Sequence, residues 1–257
     1  MFFMMRVISS VFFAIFILSG ALSAMEIKSL SHAVDMAGKQ RMFTQRMLKN
    51  YAMIGMHNTF GDPVKDLEET IGHFEVNLEA LVAFNTSEEI RTSLEKVKVL
   101  WQPVKQILTA TPEKAKAAKL QEMLEVLLAQ ANEVTVLFAK QTGKSSGEII
   151  NISGRQRMLS QRMSSLYMLK VWGIKDPKFQ AKMDSAMKLF KHSLATLETS
   201  EMNSDEINAL LKKVEGFFMF FEFSKKYIPS LIYKKSNDIL RSMNQVTKLY
   251  VEIEAKK

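Results

Sequence analysis

The sequence contains no cysteine, so no disulfide can staple it, and its stability has to come from a hydrophobic core. Five prolines and ten glycines are few for 257 residues, which leaves long stretches without a helix breaker. Period-two alternation is absent over any strand's length, which argues against a sheet. The four histidines, His32, His57, His73 and His192, share no ligand spacing. Neither half carries the paired Glu-x-x-His elements of a di-iron bundle, so no metal or other cofactor is expected. Gly143-Lys144-Ser145 resembles the end of a phosphate loop, but Phe138 stands where the earlier glycine is required, so the nucleotide reading fails. Nothing arranges a nucleophile, a base and an oxyanion donor together, and no catalytic activity is expected.

Long apolar runs are missing as well, with one exception. Val7 to Leu18 follows the early charge Arg6 and precedes the small residues Ala21 and Ser23. That pattern is too short to span a bilayer comfortably and fits a signal peptide over residues 1–24, cleaved after Ser23 or Ala24. An uncleaved anchor is the alternative. A periplasmic, soluble mature chain is therefore expected, and export argues against a nucleic-acid partner. The formal charge of +8 drops to +7 when Arg6 leaves. This excess favours anionic ligands or surfaces, although basic and acidic residues are interspersed as on solvated helix faces.

What the chain does have is helical periodicity. Leu67, Ile71, Phe74, Leu78 and Leu81 form one stripe, and Leu120, Leu124, Leu127, Ala131, Val134 and Phe138 another. Start signals divide each half into four helices: Asp62-Pro63, Thr86 with Glu89 and Thr111-Pro112 in the first, Asp176-Pro177, Asn203 with Glu206 and Pro229 in the second. The expected helices are 27–57, 63–84, 88–109, 112–141, 148–173, 177–199, 204–227 and 230–255. Pro103 should kink or end the third near Trp101. The fold class expected is all-α: two tandem antiparallel four-helix bundles, over 25–142 and 143–257. Between them, Gly143-Lys-Ser-Ser-Gly147 is either a hinge or a weakened point in one long connecting helix, and an end-to-end, elongated arrangement is expected. The run Phe217-Phe-Met-Phe-Phe-Glu-Phe223 reads as a buried central helix or a partner-binding face. The eighteen methionines include Met53-x-x-Met56 near Met36, Met42 and Met47, which could offer thioethers to Cu(I) but more readily fill a helical core.

The strongest feature is an internal repeat. Asp35-Met-Ala-Gly-Lys-Gln-Arg-Met-Phe-Thr-Gln-Arg-Met47 returns as Asn151-Ile-Ser-Gly-Arg-Gln-Arg-Met-Leu-Ser-Gln-Arg-Met163. The shared residues are polar: Gly38/Gly154, Gln40/Gln156, Arg41/Arg157, Gln45/Gln161 and Arg46/Arg162. Asn132-Glu-Val-Thr-Val-Leu137 and Asn244-Gln-Val-Thr-Lys-Leu249 extend it. On a helix, Gly38, Arg41, Met42 and Gln45 share a face that ought to pack, as do Gly154, Arg157, Met158 and Gln161. A guanidinium there needs a partner. Its planar fork suits a small oxyanion, and the glycine one turn earlier leaves room for a ligand or a second helix. Arg46 and Arg162 point about 140° away on such a helix, toward solvent or another helix. The bland reading is that Gly and Arg serve helix packing alone.

This pattern resembles the PilJ-type module, the N-terminal sensor domain of type IV pilus methyl-accepting chemotaxis transducers, related to nitrate/nitrite sensor domains. Asp35, Gly38, Arg41, Met42, Arg46 and Asn151, Gly154, Arg157, Met158, Arg162 both fit its first-helix sequence. The resemblance covers essentially the whole chain after the leader. It implies an extracytoplasmic four-helix bundle that senses a small ligand. In the family's nitrate sensors, the anion lies between the first helices of two subunits and is held by the arginine after Gly-x-x. That role falls on Arg41 and Arg157. Gly38, Gln45, Arg46, Gly154, Gln161 and Arg162 complete the candidate ligand-binding set. Unlike those sensors, the sequence shows no second transmembrane helix, signalling linker or kinase or chemoreceptor output. The expected function is therefore a sensor-like accessory protein that binds a small oxyanion such as nitrate or nitrite. The alternative is an interaction module that pairs with a membrane receptor or pilus-associated partner, or self-associates through the first helix of each module, and binds no small molecule.

Overall fold

Among the described residues, eight helices follow one another in the order the periodicity and caps predict. The computed structural model describes residues 26–143, 145–223 and 228–256, so the expected signal peptide lies outside the described residues. The helices are α1 Leu30–Gly55, α2 Pro63–Phe84, α3 Glu88–Leu108, α4 Lys114–Gln141, α5 Ser145–Val171, α6 Phe179–Glu198, α7 Asp205–Phe223 and α8 Pro229–Ala255. No strand occurs among the described residues.

Local chemistry explains the starts and corrects some of them. Asp62, at φ 51°, caps α2 by accepting from the Lys65 amide at 3.2 Å, with Pro63 in the first turn. The caps of α3 and α7 lie one residue beyond the expected ones. Ser87 accepts from the Ile90 amide and Ser204 from the Ile207 amide, each at 3.3 Å. A serine hydroxyl one position closer wins over Thr86 and Asn203, whose side chains bond elsewhere, to Gln141 and to the Leu197 carbonyl. Asp176 sits outside α6 and accepts from the Lys178 amide at 2.8 Å. Pro103 does not end α3, which runs on to Leu108. The carbonyl left without an amide partner belongs to Val99, 71% exposed, where water can satisfy it.

In each half the helices form an antiparallel ring. α1 packs on α2 and α4, with α3 closing against both; α5 packs on α6 and α8, with α7 closing against both. The aromatic cores match: Phe74 lies against Trp101 with ring centroids 4.3 Å apart, and Phe190 against Phe218 at 4.4 Å. Met36, Met47 and Met53 are core residues, as methionines in a helical bundle usually are. α7 is an outer helix rather than a central one: Phe218 and Phe221 face inward while Met219 is exposed.

The bundles stand side by side, not end to end. The chain reverses at Thr142–Gly143, where Gly143 takes φ 63°, and α4 then packs against α5. The chain thus turns at Gly143 rather than continuing as one helix. Gly147 allows the close approach, since a Cβ there would lie 2.2 Å from Thr142 Oγ1. The most extensive helix contact in the molecule is α1 against α5. Contacts pair Asp35 with Arg157, Lys49 with Gln161, and Gly55 with Trp172, so the two helices run parallel. The halves are related as the subunits of a two-fold dimer would be, within one chain.

Candidate functional site

α1 and α5 carry many polar residues, yet they lie at the centre of the molecule. Thr44, Gln45, Lys49, Asn50, Gln156, Ser160 and Gln161 are all fully buried. Such groups must find partners, and most do so by repeated bonds. Gln40 Nε2 donates to the Phe74 carbonyl at 3.0 Å, and Gln156 Nε2 to the Phe190 carbonyl at 2.9 Å. These two glutamines clamp the first helix of each bundle to the second.

Arg41 and Arg157 meet across this interface, each 1% exposed. Their exchange is reciprocal. Arg41 Nη2 donates to the Asn151 carbonyl at 3.2 Å, and Arg157 Nη2 to the Asp35 carbonyl at 3.3 Å. Arg41 Nη1 donates to Asn132 Oδ1 at 2.7 Å, and Arg157 Nη1 to Asn244 Oδ1 at 3.3 Å. Gly38 and Gly154 form the floor. A Cβ on Gly38 would lie 3.3 Å from Nη2 of both arginines, and one on Gly154 would lie 3.0 Å from Arg157 Nη2 and 3.4 Å from Arg41 Nη2. The glycines are needed because the guanidinia lie on the helix backbone itself.

The symmetry breaks at one residue pair. Asp35 Oδ1 pairs with Arg157 Nη1 at 2.7 Å, while Oδ2 binds Lys39 at 2.8 Å. Its counterpart is the neutral Asn151. Among the described residues Arg41 therefore has no carboxylate partner, and Arg41 Nε, Arg157 Nε and Asn151 Oδ1 have no hydrogen-bond partner. Burial, with Arg155 and Arg157 nearby, pushes the Arg41 guanidinium down to about 9. Burial alone would raise the Asp35 carboxyl, but Arg157 and Lys39 more than reverse this and hold it below its ordinary value.

The other candidate residues are placed differently. Gln45 and Gln161 lie one turn farther along the same interface. Gln45 Oε1 accepts from Ser165 at 3.2 Å, and Gln161 Oε1 accepts from Lys49 at 2.7 Å. Arg46 and Arg162 stand apart from the central pair. Arg46 is bound to Asp66 of α2 at 2.6 Å, and Arg162 to Glu125 of α4 at 2.9 Å. Asn132 and Asn244 were not among the expected site residues, although the repeated Asn-x-Val-Thr segments pointed at them. Lys49 was also missed. It is fully buried, donates to Asn237 Oδ1 at 2.8 Å and lies 4.1 Å from the Tyr233 ring centroid. Burial depresses it well below an ordinary lysine. It continues the spacing of Arg41 and Gln45, but its counterpart is Ser165, so the repeat concealed it.

Two like bundles joined at buried, polar first helices define a tandem sensor-type or interaction module. The chain belongs to the PilJ family, described as the type IV pili methyl-accepting chemotaxis transducer N-terminal domain, whose model matches residues 24–127 and 138–216. No curated protein and no solved structure matches the chain. Among the described residues, no helix is long and apolar enough to cross a membrane, and no cluster of His, Cys, Asp and Glu could hold a metal ion.

Proposed function

We propose that the protein is an exported sensory accessory module that binds one small oxyanion, such as nitrate or nitrite, between α1 and α5. Its parts are a leader over 1–24 and modules over 25–142 and 143–257. Arg41 is the principal ligand, Arg157 faces it, Gly38 and Gly154 let both guanidinia lie on the helix backbones, and Gln45 and Gln161 border the site. Arg46 and Arg162 already hold carboxylates and tie helices together. The observation that carries this reading is the Arg41 guanidinium, 1% exposed, without a carboxylate among the described residues and with Nε free. A buried cation of that kind calls for an anion. No catalytic step is proposed. The occupied site would be read by a membrane-bound receptor.

One observation favours the interaction module that binds no small molecule. Asn132, Asp35, Asn244 and two carbonyls already accept from four of the guanidinium nitrogens. A thermal-shift series with nitrate, nitrite and other small anions separates the readings. A ligand that binds the folded state at a hundred times its Kd stabilises it by about 2.7 kcal/mol. A rise in melting temperature with one of these anions, lost in Arg41→Ala, supports the anion site; no rise with any of them supports the interaction module.

A further inference from the structure

We propose that Asp35 is a specificity-determining residue that restricts the site between α1 and α5 to monovalent anions. This rests on the anion site proposed above. The buried charged groups at the crossing are two guanidinia and, at its edge, one carboxylate, because Asn151 is neutral where Asp35 is charged. The carboxylate lies 2.7 Å from Arg157 Nη1, so Arg157 is already matched and Arg41 alone is not. One negative charge completes the balance. A second would be buried without a partner, which a poorly solvated site disfavours strongly. Lys39 and Arg155 are the nearest further cations, but both are partly exposed and screened by water.

A surface groove reaches the same residue. A groove of about 920 Å³ between α2 and α8, floored by α1, is lined by Asp35, Lys39, Asn77 and Asn244. It therefore reaches both side chains that hold Arg157 Nη1.

Calorimetric titration of the protein with nitrate and with sulfate tests this, using wild type, Asp35→Asn and Asn151→Asp. Asp35→Asn places in α1 the side chain that α5 already carries at the equivalent position. Wild type is expected to bind nitrate at least tenfold more tightly than sulfate, and Asp35→Asn to shift that ratio at least tenfold toward sulfate. Asn151→Asp gives Arg41 its own carboxylate and is expected to abolish binding of both ions while keeping the melting temperature. Equal nitrate and sulfate affinity in wild type, or an unchanged ratio in Asp35→Asn, overturns the role of Asp35 and leaves the anion site standing. Retention of nitrate binding by Asn151→Asp also overturns it. If neither ion binds any of the three proteins, the anion site itself fails, and this role with it.

Discussion

Two arginines in equivalent positions are treated differently by a single carboxylate. Removing Asp35 leaves Arg157 buried and unmatched, and breaking a buried pair from one side costs about 3–5 kcal/mol. Asp35→Ala should therefore destabilise the protein by about that amount in urea unfolding. Asn151→Ala should cost less than about 1 kcal/mol, since Asn151 Oδ1 has no hydrogen-bond partner to lose. Acid should act through the same carboxylate. Asp35 and Asp66 both titrate below their ordinary values in the fold, Asp66 because Arg46 and Lys49 outweigh its burial. Carboxyls of this kind add stability above the unfolded value of about 3.9 and lose it as pH falls through their folded values. The melting temperature should fall as pH drops below about 4, and less steeply in Asp35→Asn. A flat profile across that range would remove the ion pairs from the account of stability.

At the level of the helices, most of the architecture was legible in the sequence. Stripes such as Leu67, Ile71, Phe74, Leu78 and Leu81 bury one side of a helix whatever it packs against. The caps of α3 and α7 were misread by one residue because Thr86 and Ser87, or Asn203 and Ser204, are equally good candidates until the backbone is placed. What could not be read was the contact between α1 and α5. Periodicity reports apolar faces, and this contact is built from Gly, Gln, Arg and Ser, whose burial depends on partners in the other half of the chain. Glycines make the helix packing testable. A Cβ at Gly55 would lie 2.1 Å from Trp172 Cζ2, where α1 and α5 are locked together. Gly55→Ala should destabilise by about 1–3 kcal/mol despite its better helix propensity. Gly72 has nothing within 4 Å of such a Cβ, so Gly72→Ala should stabilise by up to about 1 kcal/mol. Denaturant midpoints of the two variants should move in opposite directions.

On the scale of the whole molecule, the chain pairs its own first helices, the contact that two separate modules would otherwise make by association. The faces of α1 and α5 are consumed internally, so the protein should sediment as a monomer. The repeat made the two modules and the paired arginines legible, whereas side-by-side docking followed from a turn at Gly143 that the sequence left open. Covalent joining also permits what a symmetric dimer cannot have, Asp35 on one side and Asn151 on the other. One anion is proposed to bind between α1 and α5 through Arg41. Isothermal titration of nitrate into wild type and Arg41→Lys tests it most directly, because lysine keeps the charge and loses the two-donor fork. Wild type should bind one nitrate per chain, and Arg41→Lys should bind it at least tenfold more weakly. No binding to wild type, or binding undiminished in Arg41→Lys, would contradict it.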